Sequence, residues 1–439
     1  MKSIFKSFKD FNWHLWCALS ISLLIPAIYS TIRINYLGDL PNEWGVNIAS
    51  QLSWVSLLYE IMEEALILPL FYVFGKSITS KKEIENKTKS IIVLAGSIFL
   101  VLSILMYIFA KPLCIFMASD LSTLNETVEY IKLESIGLFI NIIYKIFITL
   151  FVSIGKDNKM YILIISQAIL SIIFDSIFFS NLPISLHLGV NGIAYTNMIV
   201  KTLLIIISLM MLYNENIRIF NSDKISFLWI KEYLIIGFYS GLESFVRNIA
   251  YILMVSKMVN TISEQGTYWI ANNFIWTWLL IPANAMYDVI KKETAEDANN
   301  IMTKTKGYFS VSTVFSMLWF ASIPLWKPFI HVVLNVSEYQ TVFNIVLIQS
   351  SFYIIYIYNC ILDGTIYGRG KTNYMLIESI FTNLTFYTAM YVLYRNGLWI
   401  PTLKSISIMF GVGMAIDLLP TIYCYRLLKR KINYSNPNK

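Results

Sequence analysis

Ionisable side chains stand inside long apolar stretches of this sequence, where they are candidates for binding an ion or a proton. A charged side chain at the centre of a bilayer costs at least about 2.5 kcal/mol, so each one needs a partner or a function. The candidates for ion or proton coupling are Glu60, Glu64, Asp175, Lys145, Glu243 and Asp363.

The stretch 46–75 contains the longest polar stripe. Its members recur at spacings of three and four residues, so a helix places them on one face. They are Ser53, Ser56, Glu60, Glu63 and Glu64. Lipid cannot solvate such a face, which must therefore contact protein or water. The grouped carboxylates predict a site for a proton or a monovalent cation in the N-terminal half of the chain.

Two further polar stripes occur in the same half. One consists of Glu134, Asn141 and Lys145, and the other of Gln167, Ser171 and Asp175. We expect Asp175 and Glu60 to be the carboxylates of an ion site, with Lys145 as a charge that modulates them. The alternative is that Lys145 forms a buried salt bridge with an acid and only fixes helix packing.

The C-terminal half contains two comparable sets. Glu243 and Arg247 are four residues apart, so a helix lets them pair on one face, and such a pair can be purely structural. The second set is a polar stripe of Gln349, Tyr356, Asn359 and Asp363. Carboxylate, amide and phenol oxygens suit a hard monovalent cation better than a transition metal, so no transition-metal site is expected.

Aromatic residues make up 15% of the chain and include 11 tryptophans. Many of them can form the interfacial belt that membrane proteins carry. A second interpretation places Trp54, Trp276 and Tyr356 on the wall of a cavity, where their rings attract organic cations. The full set of expected substrate-cavity residues is Gln51, Trp54, Asn141, Trp276, Tyr356 and Asn359.

Membrane helices must position these residues, because the composition excludes a soluble chain. Of the 439 residues, 56% are hydrophobic and only 14% are charged, whereas a soluble chain has about 25% charged residues. The hydrophobic residues form blocks of about 20, the length that crosses a bilayer as a helix. We call the twelve predicted helices spans one to twelve: 12–32, 46–75, 89–110, 127–154, 160–180, 189–213, 229–257, 267–290, 307–334, 341–366, 373–394 and 405–426.

Lysine and arginine are distributed unequally between the loops. With the N-terminus inside, 24 of them fall on the cytoplasmic side and six, including Arg33, on the other. Short loops rich in these residues stay inside, so we expect both termini in the cytoplasm and the chain in the cell membrane. The net charge of +7 therefore does not indicate nucleic-acid binding. The scattered four cysteines and three histidines predict neither a disulfide framework nor a zinc site.

The two halves of the chain resemble each other at a nearly constant offset. The matching positions are Lys87-Thr88-Lys89 with Lys304-Thr305-Lys306, Lys111-Pro112 with Lys327-Pro328, and Gly155-Lys156 with Gly368-Arg369-Gly370-Lys371. Each half has six spans, so both halves enter the membrane from the same side as parallel repeats. We expect an N-terminal lobe at 1–222 and a C-terminal lobe at 223–439, with a substrate path at their interface.

The chain resembles the multidrug and toxic compound extrusion (MATE) transporters in three features. It has two six-helix halves and a turn of glycine and basic residues after spans four and ten. Its spans one, two, seven and eight are polar. The MATE transporters belong to the multidrug/oligosaccharidyl-lipid/polysaccharide exporter superfamily. The resemblance implies an all-α fold of twelve transmembrane helices, lobes arranged in a V, alternating access, and export driven by Na⁺ or H⁺. It also implies Na⁺ between acids of spans seven and ten, where Glu243 and Asp363 are similar in kind.

The sequence thus predicts an antiporter that exports small, cationic, amphipathic compounds, acts as a monomer and uses no cofactor besides its coupling ion. Away from the helix ends, nine acids against four bases inside the spans favour a cavity that accepts positive charge. The alternative is a lipid-linked saccharide flippase, which needs basic residues to hold a pyrophosphate. Four bases keep this alternative open: Lys132, Lys145, Lys201 and Arg247. An enzyme is not expected, because the chain has no HExxH, GxSxG or phosphate-loop motif.

Overall fold

The computed structural model describes residues 11–40, 44–75, 80–219 and 225–435, and these residues form helices joined by turns, without a β-strand. Six of the predicted loop charges lie outside this part of the chain: Lys2, Lys6, Lys9, Lys76, Lys224 and Lys439. A helical stretch occupies each of the twelve predicted positions. In chain order the stretches are Trp13–Gly38; Trp44–Ser50, Leu52–Leu66 and Leu70–Gly75; Lys81–Phe116; Leu124–Ser153; Asp157–Phe178; Asn191–Asn214; Ile230–Tyr251, Ile252–Ser256 and Lys257–Thr261; Gln265–Phe274, Ile275–Leu279 and Ile281–Glu296; Thr305–Pro328 and Phe329–Val333; Tyr339–Gly368; Thr372–Thr382, Asn383–Tyr387 and Thr388–Arg395; and Leu403–Ser435.

Eight of these stretches are long and apolar enough to cross a membrane, judged by length and composition: spans one, three, four, five, six, nine, ten and twelve. The other four contain a break or a π-helical segment. The expected all-helical membrane fold is therefore confirmed for the described residues, while the count of twelve spans stays a prediction.

The α-helices of these spans are interrupted in two ways, by a proline and by π-helical segments. In span two the helix Leu52–Leu66 stops just before Pro69, which has no N–H to donate and cannot continue it. Spans seven, eight, nine and eleven instead contain π-helical segments, which insert one residue into an α-helix and are frequent at functional sites. Trp276 lies in such a segment, Ile275–Leu279.

The turns after spans four and ten have the same backbone structure. Gly155 and Gly370 adopt positive φ, +72° and +64°, a conformation open to glycine at no steric cost. In both turns two N–H groups bond back to the last helical turn, as is typical of a glycine-capped helix end. The bonds run from Gly155 to Val152, from Lys156 to Phe151, from Gly370 to Tyr367 and from Lys371 to Ile366. Gly155 therefore matches Gly370, rather than Gly368, in the repeat.

Spans three and nine also end alike. Ala118 follows Pro112 by six residues and Asn335 follows Pro328 by seven, and both Ala118 and Asn335 have positive φ. The π-helical segment Phe329–Val333 accounts for the extra residue. The repeat is thus visible in the backbone as well as in the sequence.

The chain folds into two compact units. The N-unit is Ile28–Gly266 and contains the end of span one and spans two to seven. The C-unit is Met1–Ala27 with Thr267–Lys439 and contains the start of span one and nearly all of spans eight to twelve. Span seven is part of the N-unit, whereas the expected lobe boundary lies between residues 222 and 223. That boundary stays a prediction about the sequence repeat.

The turn after span four is tied to the end of span six by charge. Lys156 Nζ lies 2.8 Å from Glu215 Oε2, and Lys159 Nζ lies 4.0 Å from Glu215 Oε1. The hydrogen bond from Lys156 lowers the pKa of Glu215, and the charges of both lysines act in the same direction. These contacts fasten two loops of the N-unit at one end of its helices.

Glycines in span seven allow its close contact with span two in the N-unit. A Cβ atom on Gly237 would lie 2.0 Å from Ala65 O, and a Cβ atom on Gly241 would lie 2.6 Å from Ala65 Cβ. Small residues let membrane helices approach in this way. The acidic face of span two is thereby held against span seven.

Replacing Gly237 by alanine should loosen this contact, because the new methyl group has no room beside Ala65. We expect Gly237→Ala to lower the free energy of unfolding by about 1–3 kcal/mol, the usual cost of overpacking. The midpoint of thermal unfolding in detergent measures it. Gly96→Ala is the matched control, since nothing lies within 4 Å of its added Cβ. Equal stability of the two variants would contradict the close contact.

Candidate functional site

Arg247 of span seven is the centre of a cluster of three carboxylates in the N-unit. Its Nη2 atom lies 2.7 Å from Glu64 Oε1 and 3.3 Å from Glu60 Oε1. Its Nε atom lies 3.3 Å from Glu243 Oε1, so the contact expected from their spacing is confirmed. With all four groups ionised, the cluster carries an excess of two negative charges.

Part of this cluster is accessible. The exposed fraction of the side chain is 46% for Arg247 and 37% for Glu60, whereas it is 9% for Glu243. A small ion or a polar group of a substrate can therefore reach the carboxylates. Three carboxylates around one guanidinium can take up a proton, a monovalent cation or a positively charged substrate, because each reduces the excess charge.

Lys145 of span four pairs with Glu63, the neighbour of Glu64 on span two. The predicted acidic stripe is thus divided: Glu60 and Glu64 face Arg247, whereas Glu63 faces Lys145. The ion-pair partner of Lys145 is Glu63 and not Glu60 or Asp175, so the three coupling candidates do not form one contact. Asn141 is half-buried one helical turn before Lys145.

Asp175 of span five forms a two-pronged ion pair with Arg33 inside the N-unit. Arg33 Nε donates to Asp175 Oδ2 at 2.8 Å, and Arg33 Nη2 donates to Asp175 Oδ1 at 3.0 Å. Arg33 Nη1 also donates to Asn197 Oδ1 at 3.2 Å, and Asn197 Nδ2 donates to Glu134 Oε1 at 2.8 Å. Both carboxylates are buried, so this network lies in the interior of the unit.

The position of Arg33 corrects the sequence analysis, which places it in a loop because the apolar run ends at residue 32. The helix continues to Gly38 and carries Arg33 on its inner side. A guanidinium that is satisfied by a carboxylate does not need water, so an apolar pattern alone underestimates the length of this helix. The contact favours a structural role for Asp175.

Gln51 and Trp54 of span two are buried in this structure, and their expected place on a cavity wall stays a prediction. Trp54 is 1% exposed, and its Nε1 atom donates to Gln51 Oε1 at 3.1 Å. Gln51 Nε2 donates to Asn260 Oδ1 at 2.8 Å, and Ser119 Oγ donates to Gln51 Oε1 at 3.1 Å. The amide is thus occupied in joining span two to the ends of spans three and seven.

The aromatic cavity candidates Trp276 and Tyr356 lie together in the C-unit. Their rings make an edge-to-face contact with centroids 5.3 Å apart. Trp276 Nε1 donates to Tyr353 OH at 2.7 Å, and Tyr353 OH donates to Asn272 Oδ1 at 3.1 Å. Trp276 is 37% exposed, so the cluster has an accessible side. Tyr353 was not predicted, although its spacing of three residues from Tyr356 indicates a shared helix face.

Asn359 and Asp363 lie one turn apart on span ten, where Asn359 Nδ2 donates to Asp363 Oδ2 at 3.1 Å. Asp363 belongs to the C-unit and Glu243 to the N-unit, so the structure describes each of these two acids within its own unit. Among the described residues, no group of three or more His, Cys, Asp and Glu side chains is arranged around a metal position, and the carboxylates of Glu60, Glu64 and Glu243 contact the guanidinium of Arg247 instead.

Comparisons with known proteins agree with this architecture. Residues 74–177 match the family model MatE, while no curated protein matches the sequence. One similar structure is the inward-facing conformation of a multidrug resistance MATE family transporter of the MOP superfamily. Its TM-score is 0.71 and its sequence identity 17%, and the match covers 95% of this chain and 98% of that chain. A MOP superfamily transporter from Pyrococcus furiosus, described as having a binding pocket of reverse polarity, has a TM-score of 0.70 and 15% identity over 98% and 99%.

The lipid II flippase MurJ, in an inward closed conformation, has a TM-score of 0.71 and 13% identity over 93% of this chain and 87% of that chain. At these identities the likenesses establish that this chain shares its fold with these three proteins. The resemblance to the MATE transporters is confirmed: the chain contains a MatE segment and has the fold of MATE family transporters.

Removing one partner of the Arg33–Asp175 pair should cost more stability than removing both. Asp175→Asn leaves a buried guanidinium without its carboxylate, and we expect the free energy of unfolding to fall by about 3–5 kcal/mol. The double variant Arg33→Met/Asp175→Leu should recover most of this loss, because neither charge of the pair is then left uncompensated. Thermal unfolding in detergent measures both variants. An Asp175→Asn protein as stable as wild type would contradict the structural role.

Proposed function

We propose that this protein is a secondary active antiporter of the MATE type, which exports small amphipathic cations by alternating access. The exchanged ion is Na⁺ or H⁺. The protein acts as a monomer in the cell membrane, with both termini in the cytoplasm as the loop charges indicate. The MatE segment and the fold shared with a multidrug resistance transporter support this class of function.

The observation that carries the proposal is the cluster of Glu60, Glu64 and Glu243 around Arg247. An uncompensated charge is costly in an apolar environment, so the two excess negative charges favour a bound cation. A proton or Na⁺ reduces the excess, and so does a positively charged substrate. Because they neutralise the same carboxylates, ion and substrate compete, and this competition is the basis of exchange.

Exchange across a membrane also requires that the cluster open to one side at a time. Solved structures of similar MATE transporters include an inward-facing and an outward-facing conformation. A ligand shifts the balance between two such states by as much as its affinity for them differs. We therefore infer that loading the carboxylates with the ion or with the substrate favours different access states.

Proteoliposomes that contain the protein and a fluorescent amphipathic cation test the proposal, with Na⁺ and pH gradients imposed separately. We expect one of the two gradients to drive transport. Glu64→Gln removes the carboxylate closest to Arg247 and should reduce gradient-driven transport about tenfold, the factor that about 1.4 kcal/mol of lost interaction produces. Glu126→Gln, in the exposed first turn of span four, is the matched control.

Transport that ignores both gradients would contradict the proposal, as would a Glu64→Gln protein as active as the Glu126→Gln protein. If Glu64→Gln does not fold, Glu60→Gln tests the same cluster. It leaves the shorter contact between Glu64 and Arg247 in place.

A second candidate function is the flipping of a lipid-linked saccharide. The fold shared with the lipid II flippase MurJ favours it, as do three basic side chains inside the N-unit, Arg33, Lys145 and Lys201. Arg33 and Lys145 are already paired with carboxylates, which leaves Lys201 as the one of the three to hold a pyrophosphate. Movement of a fluorescent lipid-linked saccharide in the same proteoliposomes, without gradient-driven transport of any cation, would favour the flippase.

A further inference from the structure

Lys201 lies near the middle of the span-six helix Asn191–Asn214, and its contacts are neutral. Its Nζ atom donates to Gln167 Oε1 at 2.9 Å and stands 4.5 Å from the centroid of the Tyr144 ring. Gln167 Nε2 in turn donates to Tyr29 OH at 3.4 Å. Four helices of the N-unit, spans one, four, five and six, therefore meet around this ammonium group.

Three other basic residues inside the N-unit have carboxylate partners. Arg33 pairs with Asp175, Lys145 with Glu63, and Arg247 with three acids. Within the described part of the chain, no carboxylate forms an ion pair with Lys201. Lys132 also contacts a ring, that of Tyr107 at 5.2 Å, but it stands nearer the start of its helix, where a long side chain can reach the membrane interface.

The charged groups that act on Lys201 already belong to ion pairs. Lys145 is paired with Glu63 and Arg33 with Asp175, so neither carboxylate is left to pair with Lys201. An ammonium group has three N–H donors, of which Gln167 accepts one. The residue is partly exposed, and among the described residues the other two donors have no hydrogen-bond acceptor.

We propose that Lys201 binds a carboxylate of the exported compound, which makes the substrate a zwitterion rather than a simple cation. This inference rests on the proposed function, in which the Arg247 cluster holds the positive group. Span two carries carboxylates of both regions, since Glu63 pairs with Lys145 and the neighbouring Glu64 pairs with Arg247. A single ammonium group suits a monoanion, whereas the two-pronged guanidinium of arginine is a better match for a phosphate or pyrophosphate. The guanidinium of Arg33 is already bonded to Asp175 and Asn197, so we infer a carboxylate as the ligand of Lys201.

The test uses a rhodamine with a free benzoate group and the methyl ester of the same dye, which keeps the cation and removes the anion. Fluorescence anisotropy measures the dissociation constant of each dye for the full-length protein in a non-ionic detergent. We expect the wild type to bind the benzoate about tenfold more tightly than the ester. Lys201→Gln should lose this preference while its affinity for the ester stays unchanged, and Lys201→Arg should keep the preference.

The ester serves as an internal control for folding, because a misfolded Lys201→Gln protein would lose affinity for both dyes. In that case the role of Lys201 is tested by two results: the preference of the wild type for the benzoate dye, and the same preference in the Lys201→Arg protein. Lys132→Gln is the matched control and should keep the preference, since Lys132 also lies over a tyrosine ring. A wild type without preference for the benzoate, or a Lys201→Gln protein that keeps it, would overturn the proposal.

Transport of the two dyes in proteoliposomes separates this inference from the proposed function. If both dyes bind with equal affinity and both are transported in response to a gradient, the role of Lys201 is overturned and the proposed antiporter function stands. Preferential binding of the benzoate that depends on Lys201, without gradient-driven transport of either dye, would support the anion site and count against the antiporter.

Discussion

A buried charge in a membrane helix bundle is costly unless it is paired, and three basic side chains inside the N-unit contact carboxylates of the protein. In the N-unit this constraint selects the contacts between helices. Arg33 joins spans one and five through Asp175, Lys145 joins spans four and two through Glu63, and Arg247 joins span seven to span two. The glycines of span seven make the last of these contacts possible, because they let its backbone approach Ala65.

The net charge of each contact distinguishes contacts that we consider structural from those that we consider functional. One carboxylate on one guanidinium, as in Arg33 and Asp175, is neutral and buried, and such a pair mainly fixes helix positions. Three carboxylates on one guanidinium carry excess negative charge and are partly accessible. Lys201 presents the opposite imbalance, with a cation among neutral groups. A ligand of opposite charge would reduce either imbalance, and for this reason we propose these two places as the sites of transport chemistry.

The sequence predicts contacts within one helix much better than contacts between helices. Glu243 and Arg247 could be paired in advance because a spacing of four residues fixes their relative position. The periodicity of span two shows that Glu60 and Glu64 share a face, but not that Arg247 faces it. The sequence does not show either that Gln51 contacts Asn260 and Ser119, since a polar face can be satisfied by other helices as well as by a cavity. The repeat was predictable because it depends on glycine and proline, whose backbone preferences are local, as Gly155 and Gly370 show.

The central claim is that ion and substrate compete for the carboxylates around Arg247. The most direct test is the dissociation constant of an amphipathic cation for the purified protein, measured at increasing Na⁺ concentration and, separately, at decreasing pH. The account predicts that one of the two ions raises the apparent dissociation constant. It also predicts that this effect disappears when Glu60, Glu64 and Glu243 are all replaced by glutamine. A cation that binds with the same dissociation constant at every Na⁺ concentration and every pH would contradict the account.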